Sequence, residues 1–192
     1  MSMFRFRLRT ARLNRVAQRG FTLMELLITM AIAAILVGVA LPSFRESMVR
    51  TAVTQTGNDI VLDLNTARAE AVKRGFNTAV IAKTPGNWTL GWEIWVDING
   101  NGVFTEAGTD VLIRDHLRID DPYRVLGAPR SGGAATQIVY NGTGAVNGGA
   151  YDFVVCRPNT PNGQNRAVLV GNNGTVSSQR KPPAGMAVSC PP

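Results

Sequence analysis

Few residues in this chain could carry chemistry. His116 is the only histidine. It closes a strand-like segment, DVLIRDH (110–116), and no second histidine or nearby cysteine completes a metal or acid–base site around it. No G-x-S-x-G, phosphate-loop or dinucleotide fingerprint occurs, and the glycine clusters fall at turns rather than between a strand and a helix. The residues give no basis for an enzyme, and no cofactor is expected. The run DINGNG (97–102) places oxygen donors Asp97, Asn99 and Asn101 before a glycine at the sixth position, as in the first half of a calcium loop. Its twelfth position is Gly108, where a bidentate glutamate belongs. The competing reading is a β-hairpin turn, which wants Asn and Gly for positive φ. The turn is the favoured one.

Glu25 raises a sharper question. From Phe21 to Leu41 it is the only strongly polar side chain, and an unpaired carboxylate in hydrocarbon costs several kcal/mol. At about 1.5 Å per residue this run spans roughly 30 Å, enough for a bilayer core. It is too long for a cleavable secretory signal, and Pro42 follows without a small-residue cleavage site. Residues 1–20 hold Arg5, Arg7, Arg9, Arg12, Arg15 and Arg19 with no acid. Such a segment stays on the cytoplasmic side and cannot pack a core. The expected topology is single-pass in the inner membrane, with the N-terminus cytoplasmic and everything after Leu41 outside.

Cys156 and Cys190, the only two cysteines, then both lie in an oxidising compartment. That favours a disulfide tying the tail to the segment 151–157 over two free buried thiols. The leader also accounts for most of the charge. The chain carries a net +7, and six of those charges are leader arginines. Residues 21–121 are net −4. Residues 122–192 carry Arg124, Arg130, Arg157, Arg166, Arg180 and Lys181 against Asp152 alone.

The elements that position these residues are one long helix and a set of strands. Pro42 is expected to kink the helix. Beyond it Val49, Val53, Ile60, Leu64, Ala67 and Ala71 keep a helical period, with charges between them. Gly75, after Lys73 and Arg74, is a C-terminal stop. From there the texture is short runs rich in Val, Ile, Tyr and Trp separated by Gly, Asn and Pro. The strands expected are 77–84, 88–97, 110–116, 123–127, 136–140, 151–157, 166–171 and 186–190. The fold class is α+β: a long N-terminal helix, transmembrane then amphipathic, packed on a small antiparallel β-sheet domain. The divisions are a leader (1–20), a transmembrane half (21–41), an amphipathic half (42–74) and a periplasmic β domain (75–192).

A basic leader ending in Gly20, then Phe21, then Glu25 as the fifth residue of the apolar run resembles a type IV prepilin signal. That resemblance implies cleavage after Gly20, N-methylation of Phe21 and handling by a prepilin peptidase that is also the N-methyltransferase. It also implies a use for Glu25: in the filament it meets the N-terminal amine of a neighbouring subunit, and a paired carboxylate is tolerable in low dielectric. LGWEIWVDINGNG followed by DVLIR, then YDFVVC and RAVLVGNNGTV, is similar to the GspH/FimT-type minor pseudopilins. DNA-binding members of that group carry a Gly-Arg-x-Arg element at the final strand turn. Here GNNGTVSSQRK puts Thr175 at the first arginine, and Arg180 and Lys181 come later.

Two function classes follow. One is a minor pilin or pseudopilin that assembles with other such subunits, initiating or capping a type IV pilus or a type II secretion pseudopilus. The other is a DNA-binding minor pilin serving DNA uptake, with Arg157, Arg166, Arg180 and Lys181 on the phosphates of double-stranded DNA. The near-neutral mature charge and Thr175 favour assembly.

Overall fold

The computed structural model describes residues 20–106, 108–159, 164–180 and 182–190. The leader arginines and Lys181 lie outside the described residues. The chain divides into two compact units, residues 1–43 and 44–192, so the boundary falls next to Pro42.

One helix, α1 (Leu23–Arg74), contributes to both units. It starts where Thr22 caps it: the Thr22 Oγ1 accepts the Glu25 backbone N–H at 3.2 Å. Thr-Leu-Met-Glu is thus a capping-box sequence. Glu25 sits in the first turn, where the helix dipole favours an anion. Every described side chain from Phe21 to Leu41 is exposed. The helix ends at Arg74 before Gly75, whose φ of 74° suits the left-handed stop.

In the second unit the helix buries one stripe. Val49, Val53, Ile60, Leu64, Ala67 and Ala71 are all buried, the six positions picked out by the helical period. They share a core with strands from both sheets, and the described residues hold nine strands: β1 (Thr78–Thr84), β2 (Asn87–Val96), β3 (Val111–His116), β4 (Arg124–Pro129), β5 (Gln137–Tyr140), β6 (Val146–Asn147), β7 (Tyr151–Cys156), β8 (Arg166–Val170) and β9 (Val176–Gln179). These form two antiparallel sheets, ordered β3-β2-β1-β5-β6 and β4-β7-β8-β9.

The sheets are joined by particular contacts. The Thr89 hydroxyl of β2 accepts the Val125 N–H of β4 at 3.0 Å and donates to the Val125 carbonyl at 3.3 Å. Trp88 is buried against Phe153 of β7, edge to face at 4.9 Å, and its Nε1–H donates to the Ala135 carbonyl at 2.7 Å. Gly127 makes room for that pair, since a Cβ there would stand 2.5 Å from the Phe153 ring. Truncating a buried aromatic of this kind typically costs about 3–5 kcal/mol.

Three elements depart from the sequence expectation. The segment 186–190 is not a strand. Its backbone is held by side chains and a covalent link: the Ala187 N–H donates to the Asp152 carboxylate at 3.2 Å, and Cys190 is bonded to Cys156. β6 and β9 were not expected. β6 has two residues, and β9 reads VSSQ, with one β-branched apolar residue. What makes β9 a strand is its ladder with β8, from Ala167↔Gln179 to Val170↔Val176, which outweighs weak local propensity.

Candidate functional site: assembly helix, buried carboxylate and arginine groove

The first unit is an apolar helix with no cover. Its most hydrophobic window has none of its surface buried, and by length and composition it can cross a membrane. Gly20 has no heavy atom within 4 Å of where a Cβ would be. Among the described residues, then, no neighbour requires glycine there. Phe21 is exposed beside it.

In the second unit the helix carries a buried carboxylate. Asp63 lies between Ile60 and Leu64 on the packed stripe and is fully buried. Its Oδ1 receives the Arg114 guanidinium at 2.5 Å, and its Oδ2 receives the Trp92 Nε1–H at 2.8 Å with His116 Nδ1 3.3 Å from the same oxygen. His116 stacks flat on the Trp92 ring, centroids 3.9 Å apart. Burial pushes the Asp63 carboxyl up, but hydrogen bonds from His116, Arg114 and Trp92 and the Arg114 charge outweigh it. The group is held below its ordinary value. The cluster fastens α1 to β2 and to β3, the edge strand. Of its members the sequence singled out only His116, and as a candidate ligand or base rather than as a partner of Asp63. The legible signal was an aspartate inside an apolar helical stripe, which demands a partner.

Two arginines of the second half are bonded to acids. Arg124 pairs with Asp121, and Arg130 Nε donates to buried Asp152 at 2.8 Å. Arg157 follows β7 directly. Arg166 and Arg180 do come together, in a groove of about 800 Å³ beside the helix, with Arg50, Asn58, Asp59 and Gln164. Gly57 is the notch that seats Arg166: a Cβ there would be 2.9 Å from the Arg166 Cγ. Arg166 Nε donates to the Ser178 hydroxyl at 2.7 Å, and its terminal nitrogen reaches Asn58 at 3.5 Å.

The turn carrying Thr175 is reached by a different arginine. Arg68, from the helix, donates to the Gly144 carbonyl at 3.0 Å and to the Asn173 carbonyl at 3.1 Å, clipping two hairpin turns together. Thr175 itself donates its hydroxyl to the Asn173 side chain at 2.8 Å.

The 97–110 loop is satisfied from within. The Asp97 carboxylate accepts the N–H groups of Gly100 at 2.8 Å and Gly102 at 3.0 Å, and Asp110 accepts those of Ile98 and Glu106. Asn99 and Asn101 both donate to Glu106. Asp97, Asn99 and Asn101 thus spend their side chains on hydrogen bonds within the loop that joins β2 to β3. Cys156 and Cys190 form a disulfide, with Cα atoms 6.1 Å apart.

Comparison with known proteins fits this architecture. The family described as type II transport protein GspH matches residues 56–174, and the prokaryotic N-terminal methylation motif matches residues 15–41. A fimbrial protein of Pseudomonas aeruginosa is 34% identical over 88 residues, 45% of this chain and 56% of that one. The pilin-like protein PilA1 of Thermus thermophilus is 33% identical over 86 residues, 45% and 53% of the two chains. The chain thus spans about half the length of these curated relatives. Among solved structures, the type IV minor pilin FimU of Pseudomonas aeruginosa aligns with a TM-score of 0.54 at 17% identity, covering 68% of this chain and 90% of that one. The minor pseudopilin EpsH from the type 2 secretion system of Vibrio cholerae aligns with a TM-score of 0.53 at 12% identity, covering 71% and 99%. At such identities the likeness is one of fold: a long N-terminal helix followed by antiparallel sheets. The GspH match covers more than half of the chain, and with it the chain belongs to the GspH family.

Proposed function

We propose that this chain is a minor pilin or pseudopilin that assembles into a type IV pilus or type II secretion pseudopilus and helps to initiate or cap it. The observation that carries the proposal is the uncovered apolar helix bearing a methylation motif. Its exposed face needs lipid before assembly and neighbouring helices afterwards. A peptidase cuts after Gly20 on the cytoplasmic side, and Phe21 becomes the N-methylated N-terminus. The membrane segment is 21–41, and the domain beyond it is periplasmic. Glu25 sits one helical turn from that new amine. It has a local role, since an acid in the first turn suits the helix dipole. In the filament it pairs with the amine of the adjacent subunit.

Gly20→Ala tests the processing step. An uncut precursor longer by about the leader's twenty residues is expected, because a side chain at position 20 would obstruct the peptidase at the cut. In the parent chain, mass spectrometry should read a methylated Phe21 as the first residue. Any other mature N-terminus overturns the assignment. Glu25→Ala should be cut normally yet enter filaments poorly; normal incorporation would disprove the pairing.

A further inference from the structure

We propose that the groove between the helix and the β8–β9 end of the second sheet is a docking surface for an extended segment of another pilin-type subunit. That segment presents a carboxylate, which Arg166 and Arg180 receive. Such a partner is expected only if the chain is a filament subunit, the reading given above.

Arg166 is built into place. Its stem crosses the Gly57 notch, and its Nε is tethered to the Ser178 hydroxyl. Its described hydrogen-bond partners are neutral, and its terminal nitrogens make only one long contact, to Asn58 at 3.5 Å. A guanidinium held this way loses little side-chain freedom on binding, and its fork matches a carboxylate. Arg180 lines the same groove, is exposed, and makes no hydrogen bond or ion pair among the described residues. Two guanidiniums thus face one cleft with no carboxylate bonded to either among the described residues.

The rest of the lining selects a peptide over a polyanion. Thr51, Thr54, Gln55, Asn58 and Gln164 offer donors and acceptors suited to peptide N–H and C=O groups. At about 800 Å³ the groove is within the size of ligand-binding clefts. Asp59 lines it as well, and Glu46 at its edge is bonded to Arg50 and Gln164. A duplex brings roughly one negative charge per 1.7 Å and would set phosphates against both acids. A single carboxylate placed at the two arginines avoids them.

The test uses the full chain in its own host, with a photo-crosslinking residue in place of the exposed Gln55. The expected product is an adduct with another pilin-type subunit, mapped by mass spectrometry to a segment containing Asp or Glu. Arg180→Glu should lower its yield at least tenfold while the mature N-terminus stays at Phe21. Replacing the mapped acid by lysine in the partner should restore the yield against Arg180→Glu. Arg180 is exposed and makes no hydrogen bond or ion pair among the described residues, and an unchanged melting temperature of Arg180→Glu separates docking from stability. Adducts to DNA, adducts mapped to a segment without an acid, a yield unchanged by Arg180→Glu, or no adduct from a correctly cut chain would each overturn the proposal. A chain left uncut at Gly20 would overturn the subunit reading, and this docking with it.

Discussion

Replacing Asp63 by asparagine, and Arg114 by methionine, should destabilise the 44–192 unit by different amounts and with different pH dependence. Asparagine keeps an acceptor for the Trp92 Nε1–H and loses the charge that attracts Arg114. Arg114 is 45% exposed, so its released guanidinium returns to water. About 1–2 kcal/mol is the expected cost, in the range of a hydrogen bond to a charged group. Arg114→Met leaves the converse problem, because Asp63 is fully buried and cannot rehydrate. Breaking a buried pair from that side costs about 3–5 kcal/mol in general. The remaining donors, Trp92 and His116, reduce that here to roughly 2–3 kcal/mol.

The pH behaviour follows from the depressed native pKa of Asp63. The stabilisation it provides is complete above the ordinary value of 3.8. It is lost as the pH falls from there through the lower native value, because the unfolded chain takes up the proton first. Asp63→Asn should therefore flatten the acid limb of the stability curve, and the penalty of Arg114→Met should shrink in acid. Urea denaturation of the oxidised 44–192 unit from pH 7 down to about 3 reads both effects, the midpoint tracking stability if the slope is unchanged. At roughly 2–4 °C per kcal/mol for a unit of this size, Asp63→Asn should also lower the melting temperature by about 2–8 °C. Equal costs for the two variants at pH 7, or parallel pH curves for Asp63→Asn and the parent, would refute the reasoning.

Two further perturbations test the packing. Gly127→Ala places a Cβ against the Phe153 ring, and overpacking of this kind typically costs about 1–3 kcal/mol; an unchanged urea midpoint would show that the ring moves aside freely. Reducing the Cys156–Cys190 bond, which closes a loop of sequence separation 34, should lower stability by about 3–4 kcal/mol on the loop-entropy account. Thiol labelling of the denatured, unreduced domain should find no free cysteine, and stoichiometric labelling would contradict the bond.

Several features were legible in the residues themselves because local rules govern them. The apolar run and its leader follow from composition and length. The helical stripe from Val49 to Ala71 follows from period, and seven of the nine strands from β-branched runs bounded by turn residues. DINGNG falls in the connection between β2 and β3, where Gly100 and Gly102 take positive φ and the one carboxylate, Asp97, accepts N–H groups of its own segment. The GspH-type resemblance rested on motifs of the same local kind.

The tertiary structure decided what depends on partners far apart in the chain. β9 is a strand because β8 lies beside it, and 186–190 is not one because Asp152 and Cys156 hold it instead. The split into two sheets depends on Trp88, Thr89 and Gly127 meeting across them. His116, the one histidine, finds its neighbours far away in the chain. It stacks on Trp92 beside Asp63, fifty-three positions earlier in the sequence. The basic second half was legible only as a count of charges. Among the described residues, folding seats Arg130 on Asp152 and gathers Arg166 and Arg180 at the groove. A count of charges fixes their sum, whereas their usefulness depends on which acids, carbonyls and hydroxyls the fold brings within about 3 Å of each.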